Sequence, residues 1–382
     1  MRSTVCATAF LAFWCSTALA LAEESKPVPC DLGRNAALTY WRAFAMFPEM
    51  TKDEENIVSR VPELAPMSTP EQRADLAKRW GASLQLMREA ADIPQCDWGV
   101  NYEKEGPGEM LPQLAKARAL ARAAAFRARY FWEIGQRKEA AEDLRSAVIL
   151  ARQVGNEGRD TLTAVLVQIA MESIVDRTTA LLLTDRESAD VLSKGLGDLV
   201  NGSPARLASN AILAEKKAFI PWFRREFSAN PVETKSSKDL PPELRGYPVK
   251  DVPQALDELE KQYDKITALF RLPFREYLAN RSALEEEIKA SKNPFSTGIL
   301  PALTRIRDEE ERYRIRWAMV RAAIEIRREG ESALSKVSDP SDGKPFQYTA
   351  LEGGAFELKS ALRVEGSQEI VMTFGRAPAK KD

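Results

Sequence analysis

Apolar positions recur at the three- and four-residue spacing of an α-helix over residues 113–154, on both sides of Gly135. The apolar face before this glycine is mostly alanine and comprises Ala117, Ala121, Ala124, Ala128 and Phe131. The apolar face after it comprises Ala140, Leu144, Ala147, Val148 and Ala151. Because glycine readily adopts the left-handed conformation that ends a helix, the pattern predicts two antiparallel helices joined at Gly135. The small alanine face should let a further helix approach closely.

The spacing of Gly135, Ala140, Leu144 and Ala147 resembles the second half of a tetratricopeptide repeat. Arg127 stands where that repeat usually carries a large apolar residue, no proline closes the unit, and no second copy lies about 34 residues away. A lone unit cannot bury both of its faces, so a solenoid needs several units. We therefore predict a tetratricopeptide-like hairpin inside a larger irregular bundle, with a true repeat array as the alternative.

Helical periodicity also covers most of the remaining chain. A capping box that begins at Thr69 predicts a helix running to residue 93, and the most apolar helix is expected over 161–183. Further helices are predicted over 203–226 with an interruption near Pro221, 254–289 with a bend at Pro273, and 299–328. The fold class predicted is therefore mostly α, an irregular multi-helix bundle.

The periodicity changes along the chain and suggests its organisation. After residue 337, turn residues are followed by short strand patterns at 346–348, 356–358 and 370–374. The predicted segments are a signal peptide at 1–22, a helical bundle at 23–227, a proline-rich loop at 228–253, long charged helices on the same body at 254–336, and a short β tail at 337–382.

The first 22 residues have the features of a secretory signal peptide. Arg2 precedes an uncharged run from residue 5 to residue 21, and Ala20 and Ala22 provide small residues at the positions that a signal peptidase reads. The acidic flank at Glu23 and the absence of a basic stop argue against a transmembrane anchor. We predict cleavage after Ala22 and an exported protein, periplasmic or secreted, without a membrane anchor.

Charge and cysteine content narrow the possible partners and the compartment. Loss of Arg2 with the leader leaves 54 basic and 56 acidic residues, a balance that excludes a general nucleic-acid or anionic-membrane binder. Cys30 and Cys96 remain of the four cysteines, and an oxidising compartment favours a disulfide between them. That bond would stabilise the fold by about 4 kcal/mol, and two free thiols are the alternative.

The chain contains no histidine. This excludes serine and cysteine nucleophiles activated by histidine, imidazole general bases and histidine-containing zinc sites. Carboxylate chemistry, a lysine dyad and cation binding by oxygen ligands remain, but Asp339 and Asp342 do not have the spacing of an EF-hand loop. We therefore predict no metal and no cofactor.

Two short motifs lie near the two ends of the mature chain. One is NAALTYWRAF at 35–44, and the other is DPSDGKPFQY at 339–348, followed by GAFEL at 354–358 and by Ser360. Together they resemble a group of exported bacterial helical proteins that end in such a β tail, most of them without an assigned function. The tail is also similar to the end of type II secretion pseudopilins, where it implies a calcium-binding loop and a fibre. This chain lacks the pseudopilin processing site and its long hydrophobic helix, so we do not expect a fibre. The resemblance to the exported helical proteins implies an architecture and no activity.

Glu172 and Asp176 are candidate catalytic residues on the most apolar helix, where Gln168 lies four residues before Glu172. Carboxylates at this spacing repel each other, so they need an arginine, a cation or a shared proton. The functional hypothesis is an acid-base pair in a cleft, as in glycoside hydrolysis. The alternatives are an exposed helix edge or a partner such as an arginine of the hairpin.

Arg118, Arg122 and Arg129 are candidate binding residues because they share one face of the first hairpin helix. The functional hypothesis is that they bind an anionic polymer of the cell envelope. The alternative is a solvated face paired with acids, such as Glu133 four residues after Arg129.

Trp222 and Arg225 lie among further aromatic and arginine residues after Pro221. Such a stretch can form a stacking groove for a sugar or a peptide. The alternative is a core stripe beside an arginine whose aliphatic stem covers it.

These observations favour an exported, non-catalytic helical protein that binds or scaffolds a component of the cell envelope, with a protein or an envelope polymer as its partner. One alternative is a carboxylate-dependent hydrolase that acts on a polysaccharide or peptidoglycan. A further alternative is an accessory protein of a secretion or pilus-like assembly that acts through the β tail.

Overall fold

The computed structural model describes residues 35–59, 68–156, 160–201, 206–229, 249–293, 295–296, 303–363 and 368–376. Its helices include α1 (Ala36–Met46), α2 (Lys52–Ser59), α3 (Pro70–Arg79), α4 (Gly81–Ala91), α5 (Tyr102–Glu105), α6 (Pro112–Glu133), α7 (Arg137–Gly155), α8 (Leu162–Leu182), α9 (Arg186–Leu196), α10 (Asp198–Asn201), α11 (Leu207–Ala229), α12 (Val252–Phe270), α13 (Phe274–Ala290) and α14 (Leu303–Glu329). The strands are β1 (Gln347–Ala350), β2 (Phe356–Lys359) and β3 (Val371–Phe374). The prediction of a mostly α fold with a small C-terminal β element is confirmed. The predicted leader at 1–22 lies outside the described residues.

The predicted hairpin is formed by α6 and α7, which pack along each other. Gly135 has a φ of 82°, in the left-handed region. The amide of Gln136 donates to the carbonyl of Phe131 at 2.8 Å, and the amide of Gly135 donates to that of Trp132 at 3.3 Å. This pair of bonds is a Schellman motif, which satisfies carbonyls at the end of α6 while the chain reverses.

Arg127 is the residue that departs from the tetratricopeptide pattern, and its side chain is buried between α6 and α7. Its Nε and Nη2 donate to the two carboxylate oxygens of Asp143, each at 2.7 Å. Arg88 of α4 donates to the same carboxylate at 2.7 Å. A polar link among α4, α6 and α7 therefore occupies a place where apolar packing is usual, and the carboxylate of Asp143 is fully buried within it.

The helices α8 and α9 both pack on this hairpin, with α8 against α6 and α7 and with α9 against α7. On the opposite side, α4 packs against α1 and α7. The contact between α9 and α7 is close, because a Cβ added at Gly195 would lie 2.5 Å from the Cβ of Ala141. The small side chain of Ala141 thus lets α9 approach α7 closely.

Some predicted element bounds are wrong. The helix expected to run to residue 93 is two helices, α3 and α4, which meet at Trp80 before Gly81. Pro221 does not interrupt its helix, since α11 continues through it to Ala229. Pro273 separates α12 from α13 and so ends a helix that was expected only to bend. Most of the expected loop at 228–253 lies outside the described residues.

Three short strands were predicted in the C-terminal tail. They form an antiparallel sheet in the order β1-β2-β3. Arg327 of α14 holds this sheet on the helical body, because it donates to the carbonyls of Leu183, Gly354 and Phe374. The side chain of Asp339 accepts hydrogen bonds from the amides of Ser341 and Ala361 and from the hydroxyl of Ser360. The aspartate of the tail motif therefore fixes the turn before the sheet.

None of the helices among the described residues combines the length and the apolar character that crossing a bilayer requires.

Candidate functional site

Glu172 lies at the centre of the helical body and is fully buried. Its carboxylate accepts hydrogen bonds from the hydroxyl of Tyr313 at 2.9 Å and from the indole of Trp317 at 3.0 Å, both on α14. It also accepts bonds from Gln168 at 3.0 Å and from Arg152 of the hairpin at 3.4 Å. One carboxylate therefore connects α7, α8 and α14, and its oxygens are engaged inside the chain.

Asp176 is fully buried one turn further along α8. Burial raises the pKa of its carboxyl to about 6, against the opposing effect of Arg316. Arg316 of α14 donates to Asp176 at 2.9 Å. The geometry of Glu172 and Asp176 thus corresponds to the alternative of arginine pairing, and neither residue lines a described cavity.

Arg118 and Arg122 do lie together, at the wall of a cavity of about 270 Å³ between α6, α8 and α2. Arg177 of α8 joins them there, because α6 and α8 pack along each other. The rest of the lining is small or apolar and comprises Val58, Ala170, Ser173 and Ile174. We call this cavity, with its three guanidinium groups, the arginine pocket.

None of the described residues that line the arginine pocket carries a carboxylate. Within the described part of the chain, Arg118, Arg122 and Arg177 take part in none of the ion pairs that the other arginines form. Burial and the nearby charge of Arg118 lower the pKa of Arg122, while Glu55 acts in the opposite direction. The pocket is therefore positively charged and open to an anionic group.

Arg129 lies on the same helical face, seven residues after Arg122, but it does not line the pocket. Its side chain is only 2% exposed, and none of its three guanidinium nitrogens has a hydrogen-bond partner in the described part of the chain. Burial lowers its pKa to about 10, with Glu133 acting in the opposite direction. Glu133, which was named as a possible partner of Arg129, pairs with Arg73 at 3.0 Å.

Trp222 and Arg225 bind the segment that contains α5. The Trp222 indole donates to the carbonyl of Lys104 at 3.2 Å, and Arg225 donates to the carbonyl of Glu103. A Cβ at Gly106 would lie 2.3 Å from the Trp222 ring, so the ring and the glycine are in close contact. Both side chains are thus engaged within the chain, which agrees with the packing alternative.

Cys96 forms no disulfide with another described residue, and its predicted partner Cys30 lies outside the described residues. Burial and then the charge of Asp97 raise the pKa of the Cys96 thiol to about 12. The pairing of Cys30 with Cys96 stays a prediction.

The sequence analysis missed Arg177 as part of the site. Its position on α8, three and four residues after Ile174 and Ser173, places it on the face that meets α6. That spacing was readable, but the pairing of α8 with α6 was needed to connect Arg177 with Arg118 and Arg122.

No known protein family, curated protein or solved structure matches the chain.

Proposed function

We propose that this chain is an exported, non-catalytic binding protein of the cell envelope, and that the arginine pocket holds an acidic segment of a partner protein. The observation that carries this proposal is the convergence of Arg118, Arg122 and Arg177 on one cavity whose described lining contains no carboxylate.

Three neighbouring cations repel one another, and an anion from outside the chain would relieve that repulsion. Guanidinium groups suit this role because they stay charged and bind carboxylates through two parallel hydrogen bonds. The whole chain is close to neutral, so the positive charge is local. A local charge favours one defined anionic group over general attraction to polyanions.

The lining of the pocket favours a protein over a polysaccharide as the partner. Val58, Ala170 and Ile174 place apolar surface beside the guanidinium groups. An acidic peptide segment can offer carboxylates together with apolar side chains, whereas an anionic polysaccharide offers mostly hydroxyl and carboxylate groups. The pocket volume of about 270 Å³ also suits one or two side chains rather than a length of polymer.

Fluorescence anisotropy with a labelled peptide of alternating glutamate and leucine tests the proposal. We expect binding that weakens as salt is added, and a loss of about tenfold or more in Arg118→Gln/Arg122→Gln/Arg177→Gln. The control removes the same charge from three arginines outside the pocket, Arg42, Arg186 and Arg271. Equal affinity in both triple variants would refute the proposal. Equally strong binding of polygalacturonate would instead favour an envelope polymer.

Export is tested separately by cell fractionation and N-terminal sequencing. We expect a mature chain that begins at Glu23 outside the cytoplasm. An intact leader on the cytosolic protein would contradict this part of the proposal.

A further inference from the structure

A second cavity, of about 670 Å³, lies where α5, α11 and the N-terminus of α8 meet. Part of its wall is apolar, with Val100, Leu213, Ala214 and Ala218. The polar part includes Tyr102 and Glu215. This cavity shares no described lining residue with the arginine pocket, and Thr161, the residue before α8, lies roughly 14 Å along the helix from Ala170 of that pocket.

Glu215 is a carboxyl group that is only 8% exposed although it lines this cavity. Its Oε1 accepts a hydrogen bond from the amide of Leu162 at 2.9 Å, at the start of α8. Its Oε2 has no hydrogen-bond partner among the described residues. One oxygen is therefore held by the fold, and the other receives no hydrogen bond from the part of the chain that the structure describes.

The neighbouring polar groups do not offer a donor to Oε2 of Glu215. The Tyr102 hydroxyl donates to Asp160 at 2.5 Å, and the amide of Thr161 donates to the same oxygen at 2.6 Å. Lys217 of α11 also lines the cavity, but no hydrogen bond or ion pair joins it to Glu215 among the described residues. Glu103 adds another acidic group to the lining, so the cavity favours a cation.

Electrostatics agree with this description. Burial raises the pKa of Glu215 to about 7, against the amide of Leu162 and with a further contribution from the charge of Asp160. The buried hydroxyl of Tyr263 on α12 has no hydrogen-bond partner among the described residues, and burial and then the charge of Glu215 raise its pKa. A bound cation would stabilise the ionised form of Glu215 in this acidic environment.

We propose that this cavity is a second binding site, which takes a small primary amine with an apolar body and holds its ammonium group on Oε2 of Glu215. The apolar walls contact the body of the ligand, and the buried carboxylate selects its charge. Affinity falls as the pH is lowered below the pKa of Glu215, because the neutral carboxyl no longer attracts a cation.

Isothermal titration calorimetry near pH 8 with benzylamine, benzyl alcohol and benzoate tests the site, because these probes share a ring and differ in charge. We expect benzylamine to bind about tenfold or more tightly than benzyl alcohol, and benzoate to bind more weakly still. Glu215→Gln should weaken benzylamine by about tenfold, whereas Glu103→Gln, which removes an exposed carboxylate, should change it by less than about threefold.

Equal binding of benzyl alcohol, an unchanged affinity in Glu215→Gln, or an equal loss in both glutamate variants would overturn the proposal. If the circular dichroism of Glu215→Gln shows that it is unfolded, Ala218→Met provides the test, because it fills the cavity without altering the carboxyl. Benzylamine binding should then be lost, and its retention would overturn the proposal. The arginine-pocket variants should bind benzylamine as the native chain does, so the two sites are tested independently.

Discussion

The buried carboxylate of Asp143 gives the sharpest prediction about stability. Asp143→Asn keeps the size of the side chain but removes the charge that accepts two hydrogen bonds from Arg127 and one from Arg88. Arg127 is 6% exposed, so its guanidinium would lose its counter-charge away from water. Removing one partner of a buried ion pair typically costs 3–5 kcal/mol, and we expect the unfolding free energy to fall by about 3 kcal/mol or more.

Urea denaturation followed by circular dichroism measures this change. The control is Asp190→Asn, which breaks the exposed pair with Arg328 and should cost less than about 1 kcal/mol. The double variant Arg127→Met/Asp143→Leu should regain most of the stability lost in Asp143→Asn, because an apolar pair of similar volume replaces the buried charges. A loss below about 1 kcal/mol in Asp143→Asn would refute the account of this hairpin.

Three further predictions follow from buried groups and close contacts. Arg129→Met should raise the melting temperature, because it removes a buried guanidinium whose nitrogens have no partner among the described residues, and a lower melting temperature would show that the charge is stabilising. Glu215→Gln should gain stability relative to the native chain as the pH rises from about 4.5 to 7. The native carboxyl is protonated more readily in the folded state than in the unfolded state. Its contribution to the free energy of unfolding is therefore complete below the unfolded pKa and is lost as the pH rises through the folded pKa. Melting curves that keep a constant difference between pH 4 and pH 8 would contradict this reasoning. Gly195→Leu should destabilise the chain by about 2 kcal/mol or more, measured by urea denaturation, because its Cβ would overlap that of Ala141, and an unchanged midpoint would show that α9 can move away.

Helix ends that are fixed by a capping residue or by a glycine turn could be predicted from the local sequence. Gly135 marked the turn of the hairpin because a left-handed residue is needed there, and Thr69 and Thr161 cap the helices expected after them. The break between α3 and α4 also has a local signal, because Gly81 follows Trp80 inside a helical pattern and glycine lowers the tendency to form a helix.

The contacts that define the candidate sites depend on residues far apart in the chain. Glu172 appeared as one of two repelling carboxylates, while Tyr313 and Trp317, which satisfy it, lie about 140 residues later. Arg177 belongs with Arg118 only because α8 packs beside α6. The residues next to Glu215 in the sequence give no sign that this glutamate is buried. Helix periodicity gives the faces of single helices, but it does not show which faces meet.

Chemical footprinting of arginines by mass spectrometry tests the arginine pocket most directly. The protein is treated with hydroxyphenylglyoxal, with and without a saturating amount of the alternating glutamate and leucine peptide. We expect the peptide to protect Arg118, Arg122 and Arg177 while Arg42 remains as reactive as before. Unchanged modification of the three pocket arginines under saturating peptide would contradict the proposed function.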